Sequence, residues 1–193
     1  MAKALIFDCF GVLTTDSWRE FVAKLPAAQR QKASDLNRAY GAAFISKAEF
    51  LNSIKDLTGK KPTDIDKLLD NEAYKNTDLL QHIARLKPAY KISLLSNVGS
   101  SWISDKFLTA DERALFDDFL FSYKVRMAKP DPRIFMLAAE RLGVLPAECV
   151  LVDDVESYCA VARELGMGAV LYKNFPQAKS ELDELLGSAG SPA

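Results

Sequence analysis

Short apolar runs alternate with longer amphipathic stretches along this chain, and that alternation limits its fold more than any other property. ALIF (4–7) stops at Asp8, KISLL (91–95) stops at Ser96, DFLFSY covers 118–123, CVLV (149–152) stops at Asp153, and GAVLY covers 168–172. Runs this short suit strands buried on both faces, and helical patterns lie between the later ones. Asp131-Pro132 opens one helix, with proline at its first position, and Gly143 closes it. A second runs from about Glu156 to Leu165 and stops at Gly166. Strands separated by helices imply a parallel sheet covered on both faces, with functional residues at the carboxyl ends of the strands.

The segment from 17 to 76 breaks the alternation. It carries helical periodicity without a strand signal, Ser46 and Glu49 form a capping-box pattern, and Thr63 is expected to be another N-cap. A stretch of this length exceeds a crossover helix. The expected fold class is therefore α/β: a Rossmann-like parallel sheet flanked by helices, with a small helical cap inserted after the first strand. The core is assigned to 1–16 and 77–193 and the cap to 17–76. Trp18, Phe21, Tyr40 and Phe44 are expected to be cap core.

Composition excludes several classes. Of 193 residues, 49% are hydrophobic and 26% charged, with a net charge of -1, so no basic surface for nucleic acid is expected. No apolar run reaches the ~18 residues of a membrane helix, and Asp8 interrupts the apolar start, which argues against a signal peptide. The three cysteines, Cys9, Cys149 and Cys159, form no CxxC pair and read as reduced core thiols of a cytoplasmic protein. The tail GSAGSPA is expected to be disordered.

Polar groups stand where the strands stop: Asp8, Ser96-Asn97, Lys129 after a loop, and Asp153-Asp154. Each alone would read as a turn or surface residue. Together they make a coherent chemistry. A carboxylate can attack phosphorus, neighbouring carboxylates need a hard cation such as Mg²⁺, and lysine and serine can hold phosphoryl oxygens. These elements fit metal-assisted phosphoryl transfer to an aspartate.

FDCFGVL, LLSN, KPDPRIF and LVDD, in this order, resemble the four motifs of the haloacid dehalogenase-like hydrolase superfamily. The resemblance implies that Asp8 is the nucleophile, that Ser96 and Asn97 hold the phosphate, and that Lys129 orients it. It implies Mg²⁺ held by Asp8, Asp153, Asp154 and the main-chain carbonyl of Phe10. It also implies a small phosphorylated substrate and a helical cap.

Phe10 departs from the pattern of most phosphatases of the family, which have at that place an aspartate that protonates the leaving group. Such help is worth about 10²–10⁴-fold, and phenylalanine cannot supply it. Three readings stay open: a phosphatase with weakened acid–base catalysis that favours good leaving groups, a catalytically weak or inactive binding or regulatory protein, and a metal-independent 2-haloacid dehalogenase. Tyr158 stands where the fourth motif often has an acid or amide, so the outer metal shell is a second departure. His82 reads as structural or surface, Asp16 as a turn residue, and Asp117-Asp118 as the opening of a strand.

Overall fold

The structure, a computed structural model, describes residues 1–69 and 74–187. The sequence expectation for the tail beyond Gly187 lies outside them, as do four residues of the expected cap.

Among the described residues, five parallel strands form one sheet: β1 (Ala4–Phe7), β2 (Lys91–Ser96), β3 (Asp118–Phe121), β4 (Cys149–Asp153) and β5 (Gly168–Leu171). Their order is β3-β2-β1-β4-β5. β1 is central, with Phe7 opposite Leu94 on one side and Val152 on the other. Its side chains alternate between two apolar layers. Leu5 and Phe7 pack with Leu79 and Ile83, while Ala4 and Ile6 pack with Ile134, Phe135 and Leu142. All four residues of β1 are fully buried, which is why no polar residue interrupts the run before Asp8. The run at 118–123 is a strand only to Phe121, because a short helix takes over at Ser122.

Four helices follow β1: α1 (Ser17–Lys24), α2 (Ala27–Gly41), α3 (Lys47–Thr58) and α4 (Pro62–Leu69). They bury a cluster of their own, including Tyr40, Phe50, Ile54 and Ile65, with Trp18 and Phe21 packed against it. The capping box at Ser46 and Glu49 is formed in both directions. Thr63 is not an N-cap. The helix starts at Pro62, whose fixed φ suits the first helical position. Phe44 is not core either: it is 63% exposed. The chain leaves α2 through Ala43 at φ 53, and the Phe44 ring ends 5.6 Å from the Arg126 guanidinium.

The remaining α-helices among the described residues are α5 (Thr77–Leu86), α6 (Ala110–Arg113), α7 (Ser122–Val125), α8 (Pro132–Leu142), α9 (Glu156–Glu164) and α10 (Phe175–Leu186), of which α5, α8, α9 and α10 pack apolar side chains against the sheet. Asp131 caps α8 and Gly143 ends it in the left-handed region. His82 is buried on α5, edge-on to Phe175, and burial holds its imidazole below the usual range. Asn76 caps α5 and its amide donates to the Val12 carbonyl and to the Tyr172 hydroxyl, which ties the returning chain to the first motif. No helix among the described residues is long and apolar enough to cross a membrane.

The four-helix lobe is seated on the strand ends. The Ser122 hydroxyl donates to the Gly41 carbonyl at 2.5 Å and accepts from the Val98 N–H at 2.9 Å. A side chain at Gly99 would occupy the space filled by the Tyr40 ring. The end of α2 is thereby fastened to the loop after β2, directly above the sheet's carboxyl edge.

Candidate active site

The polar residues singled out from the sequence converge at this edge. Asp8, Phe10, Ser96, Asn97 and Lys129 line one cavity of about 300 Å³, roofed by residues of the helical lobe. One carboxylate oxygen each from Asp8, Asp153 and Asp154 lies within 4.8 Å of the others. Asp8 follows central β1, and Asp153 ends its neighbour β4, so parallel pairing itself brings the acids together.

Lys129 is completely buried between two of them. Its Nζ stands 2.5 Å from Asp153 Oδ2 and 3.0 Å from Asp8 Oδ2. Burial pulls the ammonium down, but Asp153 and Asp8 outweigh it and hold the group above its ordinary value. The other Asp8 oxygen, Oδ1, accepts from the Cys9 N–H at 2.6 Å. Burial raises the Asp8 carboxyl to about 8; Lys129 opposes the rise, and Asp153 and Asp154 add to it. One lysine therefore does not neutralise the cluster. A hard divalent cation among these oxygens would, and would keep Asp8 ionised. The donor set fits such an ion.

Asn97 has a role that spacing does not disclose. Its amide Nδ2 donates to the Lys129 carbonyl at 2.9 Å, and its Oδ1 accepts from the Lys129 N–H at 2.9 Å. The side chain thus clamps the lysine backbone, and it also lines the cavity in which the sequence reading expects it to hold phosphate. Tyr158 lies beside this pair, with Lys129 Nζ 5.1 Å from its ring centre. Ser96 is fully buried at the end of β2, and its hydroxyl has no partner among the described residues. A buried hydroxyl left unpaired is costly unless a ligand satisfies it.

Gly11 adopts φ +84, and the Asp154 carboxylate lies where its side chain would be. Only glycine combines that conformation with that close approach. Phe10 turns its ring toward the core, stacked on Trp102 at 6.0 Å between centres, and Trp102 stacks in turn on Phe107 at 5.2 Å.

The sequence reading missed Arg19. This residue of α1 reaches from the lobe to Asp154, bonding both carboxylate oxygens, and lies 3.3 Å from Asp16. Asp16 is the N-cap of α1, accepting from the Arg19 N–H at 2.8 Å, so its turn role is realised, at the rim of the cavity. A signal for Arg19 was present: a cation in the first turn of a helix opposes the helix dipole and needs a compensating partner. Nor did the sequence reading find Ser34, Asn37 and Arg38 of α2, which line the outer cavity.

Cys9, Cys149 and Cys159 are buried free thiols. Cys9 packs in the apolar layer with Leu5 and Phe7.

Known proteins resemble this chain in sequence and in fold. Bifunctional epoxide hydrolase 2 of Sus scrofa is 30% identical over 129 residues, which are 63% of this chain but only 23% of that longer protein. D-ribitol-5-phosphate phosphatase of Bacteroides thetaiotaomicron is 28% identical over 206 residues, covering 97% of this chain and 100% of that one. A HAD family enzyme of Bacteroides thetaiotaomicron, solved in complex with magnesium and inorganic phosphate, superposes with a TM-score of 0.68. It is 26% identical, with 90% of this chain and 95% of that chain covered. The family model for haloacid dehalogenase-like hydrolases matches residues 2–166. The chain belongs to the haloacid dehalogenase-like hydrolase family, and phosphatases stand among its relatives.

Proposed function

We propose that this hydrolase is a Mg²⁺-dependent phosphatase that acts on a small phosphorylated metabolite through an aspartyl-phosphate on Asp8. The observation that carries the reading is the cluster of three carboxylate oxygens within 4.8 Å, against two cations, the buried Lys129 and the lobe's Arg19. That excess of negative charge suits a divalent cation and argues against the metal-independent dehalogenase reading. Asp8, Asp153, Asp154 and the Phe10 carbonyl would hold the ion, which when bound would neutralise charge on the transferring phosphoryl group.

The chain's own residues do the rest. An Asp8 carboxylate oxygen attacks phosphorus, the bond from phosphorus to the leaving oxygen breaks, and the electron pair departs on that oxygen. Lys129 holds the Asp8 carboxylate and lends positive charge to the phosphoryl oxygens. The Ser96 hydroxyl, unpaired among the described residues, donates to one of them. Asn97 keeps Lys129 in place through its backbone. The lobe of α1–α4 acts as a cap, excluding water from the transfer. Water then opens the acyl phosphate, returning Asp8 and releasing phosphate. With Phe10 stacked on Trp102, no carboxyl at position 10 protonates the leaving oxygen or activates that water.

Steady-state hydrolysis of acetyl phosphate and of an aryl phosphate, with and without Mg²⁺, tests the reading. Turnover should require Mg²⁺ and vanish in Asp8→Asn. Metal-independent turnover, or turnover that survives Asp8→Asn, would exclude it. A protein that binds Mg²⁺ and phosphate without any turnover would instead be a binding protein on this fold.

A further inference from the structure

We propose that the outer cavity selects a hydroxylated leaving group with an acidic leaving oxygen, the combination found in an aldose 1-phosphate, and that Ser34 and Asn37 are the residues that read its hydroxyls. The proposal rests on the phosphatase reading and deepens it.

Ser34, Asn37, Arg38 and Gly41 lie on one face of α2 and line the same cavity as Asp8. Gly41 is fixed to the sheet's edge through Ser122, so this face is held at a set height above the nucleophile. The lobe's cations on this cavity are each engaged: Arg38 by Asp35 at 3.0 Å, Lys47 by Asp66 at 2.5 Å, and Arg19 by Asp154 and Asp16. Ser34 and Asn37 have no side-chain hydrogen-bond partner among the described residues. Both are half-buried, neutral, and able to donate and accept at once. Sugar hydroxyls require that pairing, whereas a carboxylate or second phosphate would favour cations. Trp18 of α1 also lines the cavity and offers a flat apolar face for a sugar ring. A cavity of about 300 Å³ matches a monosaccharide phosphate.

Phe10 limits which leaving oxygens the site can release. No carboxyl is present at position 10 to protonate the leaving oxygen, so that oxygen must tolerate negative charge by itself. Of the hydroxyls of a sugar, the anomeric one is the most acidic. In the transfer, the bond from Asp8 to phosphorus forms and the bond from phosphorus to the anomeric oxygen breaks. That oxygen keeps the electron pair and takes a proton from water. Water then hydrolyses the acyl phosphate.

The test is kcat/KM with Mg²⁺ for a panel of aldose 1-phosphates, their isomers phosphorylated at the terminal carbon, cyclohexyl phosphate and acetyl phosphate. At least one aldose 1-phosphate should exceed its terminal isomer and cyclohexyl phosphate by about tenfold or more. Asn37→Leu and Ser34→Ala should each lower the ratio of that sugar's kcat/KM to that of acetyl phosphate by about five- to tenfold, the worth of one hydrogen bond. The ratio cancels any general loss of folding or metal. Asn37→Gln should restore part of it. The proposal is overturned if every aldose 1-phosphate falls at or below cyclohexyl phosphate, or if neither substitution moves the ratio. Failure of acetyl phosphate itself to turn over through Asp8 would overturn the phosphatase reading, and this proposal with it.

Discussion

Lys129 is the residue on which the site converges. It is wholly buried, meets Asp8 and Asp153 through its ammonium, and is held at its backbone by Asn97. Removing one partner of a buried charge group leaves the others uncompensated, at a cost of about 3–5 kcal/mol. Lys129→Met should therefore unfold at a much lower urea concentration when no divalent cation is added. Lys129→Met combined with Asp8→Asn should recover part of the loss, since the second change removes one of the stranded charges. Strict additivity of the two changes would mean that the contact contributes nothing. The types Asp8, Lys129, Asp153 and Asp154 were legible in the sequence because each ends a strand or follows one in a quoted motif. The clamp of Asn97 on Lys129 was not, because it depends on two loops meeting after β2 and β3. The orientation of the Phe10 ring was equally hidden, since Trp102, its stacking partner, is remote in sequence.

At the scale of elements, the sheet was readable and the seating of the helical lobe was not. Apolar runs bounded by polar residues marked every strand to within a few residues, and the capping box at Ser46 marked α3. Besides the pair of Arg19 with Asp154, the contact between lobe and sheet uses two small residues, Gly41 and Gly99, which carry no periodic signal. Gly99 leaves room for the Tyr40 ring, itself stacked on Phe50 at 5.0 Å. Gly99→Ala should push Tyr40 out of its place and cost about 1–3 kcal/mol, as overpacking does. Hydrogen exchange should report faster opening of α2 amides near Tyr40 while the amides of β1 and β4 keep their protection. Unchanged exchange in α2 would show that the lobe does not depend on this contact. The same logic explains why Ser34 and Asn37 escaped the sequence: polar residues on an amphipathic helix look alike until the face opposite them is known.

For the whole molecule, the fold brings together Asp8, its charge partners and a roof, but leaves no carboxyl at position 10 for proton transfer. The carboxyl ends of β1 and β2 and the loop after β3 deliver Asp8, Ser96 and Lys129 to one cavity, which α1–α4 cover, and the end of β4 sets Asp153 and Asp154 beside Asp8. The central claim is that Asp8 accepts the phosphoryl group and that Phe10 slows its release. Quenched-flow turnover of an aryl phosphate with Mg²⁺, read both as released phenol and as phosphoryl mass on the Asp8 peptide, tests this most directly. The account predicts a burst of phenol approaching one equivalent per enzyme molecule, phosphoryl on Asp8 during steady turnover, and neither in Asp8→Asn. Phenol released linearly from the first turnover, with no phosphoryl group on Asp8, would contradict it.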